Sequence, residues 1–304
     1  MVKPFLKWAG GKSQLLKVIE SRFPEELKKG KIKKYVEPFI GSGAVLFHVF
    51  KHYDVKEFYI YDINPELINV YNSIKYSINE LISLLNEKEK RFLPLNQEER
   101  KVMYYDLREK FNNDLASINF NEVNNKNVER ASEFIFFNRT CFNGLFRVNK
   151  KGFFNVPMGV YKRPKICDAE NLKKVHLVLQ NVEIYLGDYK CCEKIVDEET
   201  FVYFDPPYRP LNQTSAFTSY SKYSFTDENQ KELANFFFEL NKKNAKLMLS
   251  NSDPHNIDKN DDFFHDLYGK EGIEIESVQA TRMINSKGTG RGKISELLIR
   301  NYKI

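Results

Sequence analysis

An α/β sheet interrupted by a mainly helical insertion is the fold this sequence predicts, and three observations predict it. Short apolar runs that end in glycine or an acid alternate with helical patterns over residues 35–66, and again from 182 to the end. Between them, over 67–166, helical patterns follow one another and the alternation is lost. A glycine turn also follows the first strand directly and leads into an apolar helix, the device by which α/β proteins bring backbone close to a ligand.

The chain opens with Phe5-Leu-Lys-Trp-Ala-Gly-Gly-Lys12-Ser13. A phosphate-binding P-loop needs glycine at position 6, where leucine stands, and no apolar strand precedes it, so ATP hydrolysis is not expected. What remains is a glycine turn, containing Gly10, that opens a helix over Ser13 to about Phe23. Lys12 there suits a carboxylate. Trp8, the only tryptophan, is either core or a surface for a ligand ring.

Tyr35–Glu37 reads as the first strand, and Pro38, Phe39, Gly41 and Gly43 form the turn before a helix that starts at Ala44. Leu46 occupies the third glycine position of a dinucleotide fingerprint, which disfavours NAD and leaves other adenosine-containing cofactors. Glu37 stands where an acid can meet a positively charged ligand group. Glu57–Asn64 contains the second strand. Asp62 ends it about 20 residues beyond the glycines, the spacing at which an acid accepts from ribose hydroxyls. Asn64 and Pro65 cap and open the next helix.

Helical patterns then run over Leu67–Leu85, Gln97–Phe111 and Val128–Phe137, with an asparagine-rich loop over 112–127. From Asn138 to Lys165 there are seven basic residues and no acid, interleaved with aromatics and asparagine. Such a segment is a nucleic-acid face or a solvated basic hairpin.

The alternation resumes with the strand Val182–Leu186, which ends in Gly187-Asp188-Tyr189. Phe201–Phe204 follows as a buried strand stopped by Asp205-Pro206-Pro207-Tyr208. Two prolines remove two backbone donors, so the chain leaves the sheet rigidly at a strand's carboxyl end, where open α/β sheets hold ligands. Asp205 and the Pro206 carbonyl then offer two acceptors to an exocyclic amino group, and Tyr208 offers a face on which a base can stack. Residues 209–224 read as a long polar loop. Thr226 and Phe225 read as cap and staple of a helix, Lys246–Asn251 as a strand, and Gly272–Ala280 with Ser295–Asn301 as a closing pair around a basic loop at 285–293.

Composition is consistent with this reading. The 304 residues allow one large domain or two ordinary ones, and 42% hydrophobic with 29% charged residues fit a soluble globular protein. A net charge of +6 favours a polyanionic partner, and 25 Phe with 17 Tyr suit stacking on bases. Cys141, Cys167, Cys191 and Cys192 form no C-x-x-C pair, so reduced thiols and no metal cluster are expected. The start lacks an apolar stretch and no run reaches about 18 apolar residues, which predicts a cytoplasmic protein.

Taken together, the ordered set Phe5–Lys12, Glu37-Pro-Phe-x-Gly-x-Gly43, Asp62, Asn138-Arg-x-x-Phe-Asn-Gly-Leu-x-Arg147, Phe154-Asn-Val-Pro157 and Asp205-Pro-Pro-Tyr208 resembles the Dam family of DNA N6-adenine methyltransferases (α-group, D12 class). The resemblance covers nearly the whole chain. It implies a Rossmann-like S-adenosylmethionine-dependent methyltransferase sheet, formed by 1–66 and 167–304, with an inserted DNA-recognition domain at 67–166. It implies cofactor contacts at Trp8, Gly10, Lys12, Glu37, Pro38, Phe39, Gly41, Gly43, Asp62, Asp188 and Asp205, and catalysis by Asp205, Pro206 and Tyr208, with no metal. It places DNA contacts at Lys7, Arg139, Phe142, Asn143, Leu145, Arg147, Asn149, Lys150, Lys151, Pro157 and Tyr161, with Phe142 entering the base stack. The usual target is GATC, and the usual role is modification beside a cognate restriction endonuclease. A cytosine-N4 methyltransferase is the nearest alternative, but serine usually stands there in place of Asp205. A non-catalytic DNA-binding regulator of the same fold is the other.

Overall fold

The computed structural model describes residues 2–8, 10–209, 225–281 and 293–304. In chain order the helices are α1 (Leu16–Ser21), α2 (Glu25–Lys28), α3 (Ala44–His52), α4 (Pro65–Tyr76), α5 (Ile78–Phe92), α6 (Gln97–Asn113), α7 (Asn125–Thr140), α8 (Ala169–Leu179), α9 (Asp227–Asn241) and α10 (Phe263–Tyr268). The strands are β1 (Lys34–Glu37), β2 (Glu57–Asp62), β3 (Val182–Leu186), β4 (Thr200–Phe204), β5 (Lys246–Ser252), β6 (Glu274–Thr281) and β7 (Lys293–Arg300). No helix among the described residues is long and apolar enough to cross a membrane. The chain divides into two compact units, one built from 1–11 and 64–186, the other from 12–63 and most of the chain from 187 onward.

In the second unit, six strands of a mixed sheet run in the order β2-β1-β4-β5-β7-β6. The first four are parallel, and β7 is antiparallel to both β5 and β6. Every residue of β4 is buried, as its uninterrupted aromatic and β-branched run demands of a central parallel strand. Phe204, Phe237, Leu247, Leu249 and Ile299 pack in the same core cluster. The chain turns from β1 toward β2 on one side and β4 on the other, so the carboxyl ends of β1 and β4 meet at the switch point of the sheet.

The first unit is largely helical. Its core is aromatic: Phe137 lies 5.0 Å from Phe154 and 5.4 Å from Phe111, and Phe134 lies 4.5 Å from Phe146, centroid to centroid. Arg130 and Glu66 are both buried here and joined at 2.5 Å, with the guanidinium 3.8 Å over the ring of Phe111.

Several boundaries differ from the sequence reading, for local reasons. The helix expected over 13–23 begins as a 3₁₀ turn at Lys12–Gln14 before α1. The helix expected over Leu67–Leu85 breaks at Ser77, which takes φ −138° and ψ 40°. Serine loses little by leaving a helix, and both flanking segments keep their own apolar stripes. The loop at 112–127 is shorter than its asparagine content suggested, because Asn124 caps α7, accepting from the Asn127 N–H. α8 was not anticipated. Asn64 and Thr226 cap α4 and α9 as expected. The polar loop at 210–224 and the basic loop at 285–292 lie outside the described residues.

Candidate functional site

The second unit gathers the acids and the tyrosine that follow its strands. Leaving β4, Asp205 meets the ammonium of Lys12 at 2.7 Å, with Lys12 only 3% exposed. The same ammonium lies 4.6 Å over the ring of Tyr208. The Tyr208 hydroxyl donates to Glu296 Oε2 at 2.5 Å, so β7 fixes the ring from its far end. Burial pushes the Asp205 carboxyl up to about 6, against the pull of Lys12 and with a further push from Glu296. At neutral pH it is therefore an ionised acceptor, held next to a flat aromatic face.

The turn after β4 is braced along its length. Gln230 donates to the Pro207 carbonyl at 3.1 Å and accepts from Asn251 Nδ2 at 3.1 Å. Asn251 in turn accepts from the Arg209 N–H at 3.3 Å. The Arg209 guanidinium reaches Asp227 and Asp261 at 2.9 and 2.6 Å. Two prolines therefore give rigidity, and side chains from β5, α9 and the loop before α10 give position.

The glycine turn lies at the end of β1. Gly41 and Gly43 have φ of 47° and 70°, a region where a side chain would be strained. The Gly43 N–H donates to the Ile40 carbonyl at 2.8 Å, and the Gly41 N–H approaches Asp62 Oδ2 at 3.4 Å. Glu37 is 3% exposed and accepts from the Tyr35 hydroxyl at 2.7 Å. Burial pushes its carboxyl well above the usual range, with the charge of Asp205 adding to the push. Phe39 stacks on Tyr189 at 5.4 Å, and Asp188 caps the short turn after β3 by accepting from the Lys190 N–H at 2.9 Å. A bent glycine backbone, a carboxylate at a strand end and the buried Glu37 beside it can receive a positively charged ligand.

The first unit holds the basic segment as a folded hairpin. Isolated bridges join Cys141 to Met158 and Val148 to Phe154. Asn138 ties its ends: it accepts from the Lys7 N–H at 2.9 Å and donates to the carbonyls of Lys7 and Gly144 at 2.7 and 2.9 Å. Gly144 has φ 66°, and a β-carbon there would sit 2.5 Å from Lys7 Cδ, so only glycine fits. The Lys7 ammonium lies 4.4 Å over the ring of Tyr161. Burial and the nearby Arg139 charge lower its pKa. Trp8 stacks on Phe134 at 6.5 Å, and Gly10 takes φ 73°.

Of the predicted DNA contacts, Phe142 is 49% exposed although its N–H donates to the Pro157 carbonyl at 2.9 Å. Asn143 adopts φ 57°, which turns the chain toward Leu145 and the exposed Arg147. Arg147 Nε donates to Asn155 Oδ1 at 2.9 Å, which aims the rest of the guanidinium. Lys150, Lys151 and Pro157 are exposed. Asn149 instead engages its carboxamide in the turn, accepting from Lys151 and Phe153 N–H at 2.9 and 3.1 Å. Arg139 donates to the Phe5 carbonyl at 2.6 Å and is partly buried.

Sequence reasoning missed the residues that hold this hairpin. Arg100, Tyr104, Arg108 and Asn112 recur every four positions and so share one face of α6. Arg100 donates to the carbonyls of Tyr161 and Lys162 at 3.0 and 3.1 Å. Tyr104 and Arg108 donate to the Val156 carbonyl at 2.9 and 3.3 Å. Asn112 donates to the Phe154 carbonyl at 3.1 Å and accepts from its N–H at 2.8 Å. A polar stripe inside a helical pattern was the available signal. Glu296, Gln230 and Asn251 left none.

Comparison with known proteins gives the family of the chain. The profile of the D12 class N6 adenine-specific DNA methyltransferases matches residues 8–284. The Type II methyltransferase M.MjaIII of Methanocaldococcus jannaschii is 52% identical over 302 residues, covering 99% of both chains. The Type II methyltransferase M1.LlaDCHI of Lactococcus lactis subsp. cremoris is 39% identical, over 99% of this chain and 96% of its own. The DNA adenine methylase of Escherichia coli K12 is 34% identical, over 97% and 94% respectively. A profile spanning most of the sequence and relatives matched end to end leave one assignment: the chain belongs to the D12 class of N6 adenine-specific DNA methyltransferases, enzymes that take their methyl group from S-adenosylmethionine.

Proposed function

We propose that this enzyme methylates an adenine swung out of duplex DNA, within GATC, as the modification half of a restriction–modification system. The Asp205–Lys12–Tyr208 cluster carries the reading. An adenine amino group has two N–H donors, and Asp205 with the Pro206 carbonyl supplies two acceptors beside one stacking face. Accepting both hydrogens draws the nitrogen lone pair out of conjugation and aims it, so the protein's contribution is orientation and electrostatics. A braced turn at a strand end reaches only a base that has left the stack, at a cost of a few kcal/mol. The half-exposed ring of Phe142 suits the gap that is left.

S-adenosylmethionine supplies an electrophilic methyl on a sulfonium. Gly41, Gly43, Pro38 and Phe39 shape the backbone for it, Asp62 accepts from ribose hydroxyls, Asp188 and Asp205 supply negative charge toward the cation, and the buried Glu37 offers a further polar contact. Segment 67–166 is proposed as the recognition domain, with Arg147 on a guanine and Lys150 and Lys151 on phosphates. The Type II names of two relatives support the modification role. Incubation with tritiated S-adenosylmethionine and plasmid DNA, followed by GATC-cutting nucleases, tests the whole reading. Label in adenine with protection at GATC is expected; label without protection moves the target sequence elsewhere, and no label removes the catalytic assignment.

A further inference from the structure

Two of the chain's five histidines come together with a carboxylate in the second unit, outside the residues assigned to cofactor, base or DNA. His255, Asp262 and His265 each offer one ligand atom, and the three atoms lie within 4.8 Å of one another. His255 Nε2 stands 3.0 Å from Asp262 Oδ1, and His265 Nδ1 stands 4.0 Å from the same oxygen. The two rings are nearly parallel, 5.3 Å apart. Composition and the cysteines gave no hint of a metal, because the three residues sit in a loop-to-helix spacing of H-x₆-D-x₂-H.

Three further observations favour a ligand set over a chance surface cluster. His265 Nδ1 is buried and has no hydrogen-bond partner among the described residues, although the ring is partly exposed. Asp262 stands at the N-cap of α10 yet makes no side-chain cap bond there. Behind His255, the buried Asp253 stands 3.6 Å from Nδ1 and accepts from the His255 N–H at 3.1 Å. A carboxylate behind the outer nitrogen of a histidine is the arrangement that orients metal-bound imidazoles.

We propose that His255, Asp262 and His265 form a binding site for a divalent transition-metal ion of the zinc class. A tetrahedral ion at about 2.0–2.2 Å from each atom would space its ligands at roughly 3.3–3.6 Å. The fourth position is left to water. The ion would clasp the loop at 255–262 onto the first turn of α10. Asp261, beside Asp262, holds Arg209, and Phe263 lies 4.2 Å under the same guanidinium. The clasp therefore anchors, at one remove, the chain that leaves Tyr208.

The exposed thiol of Cys191 is a competing ligand, so the test uses a Cys191→Ser background. Chelator-stripped protein is titrated with Zn²⁺ by calorimetry. One ion per chain is expected, with affinity falling at least tenfold in both His255→Gln and His265→Gln. Asp253→Asn, which keeps all three ligands, should weaken binding about 10–100-fold. Circular dichroism checks that each variant is folded, and DNA methylation by stripped protein should be unchanged in the two histidine variants. Absence of Zn²⁺ binding, or binding that survives both histidine replacements, overturns the proposal.

Discussion

Replacing Lys12 by methionine should move the pH profile of methylation rather than merely lower it. Burial raises the Asp205 carboxyl to about 6, and the Lys12 ammonium at 2.7 Å restrains that rise. The proposed acceptor is the ionised carboxylate, so kcat/KM for DNA should climb as pH passes through about 6 in the wild type. An adjacent opposite charge is worth about one to three pH units, so removing it shifts the acid limb to roughly 7–9. At pH 6 the ionised fraction then falls from about one half by about fivefold to five-hundredfold, and activity should recover toward pH 9. Profiles of kcat/KM at saturating S-adenosylmethionine read the position of the limb separately from its height. A limb that stays in place while the plateau drops would mean that Lys12 does not tune Asp205. A wild-type profile flat through pH 6 would mean that ionised Asp205 is not the acceptor.

Tyr208→Phe keeps the stacking ring but loses the bond to Glu296, and should cost about 1.5–3 kcal/mol in urea unfolding while methylation at saturating DNA persists. Glu66→Ala leaves Arg130 buried without its partner, so a loss of about 3–5 kcal/mol is expected by the same measurement. Arg147→Ala should cost about 1–3 kcal/mol on the cognate site and relax discrimination at one guanine, whereas Lys150→Ala should weaken all duplexes alike and lower the salt slope by about one. Methylation of duplexes carrying each single substitution in GATC separates the two behaviours.

The parts of the site that sequence reasoning found are those made by neighbours in the chain. Glu37, the glycine turn, Asp62 and Asp205 are all readable because a strand, its last residue and the turn after it form one local pattern. Glu296 is not, since 88 positions separate it from Tyr208 and only the pairing of β7 with β5 brings it near. Ser77 broke a helix in a place the apolar periodicity concealed, because Ile74, Ile78 and Leu81 continue the pattern across the break. Arg100, Tyr104, Arg108 and Asn112 were legible as a stripe, but not as an anchor. What they hold is defined by carbonyl groups, which every residue possesses.

That same fact separates the shape of the hairpin from the side chains it exposes. α6 grips main-chain atoms of residues 154, 156, 161 and 162, and these bonds do not depend on the exposed side chains of the segment, such as Arg147, Lys150 and Lys151. Position 154 carries two constraints: its ring is buried against Phe137, and its N–H donates to Asn112, a bond that proline there would break. Replacing one of those exposed side chains removes none of the bonds by which α6 holds the segment, so the fold of the hairpin and the chemistry of its outer face are set by different residues.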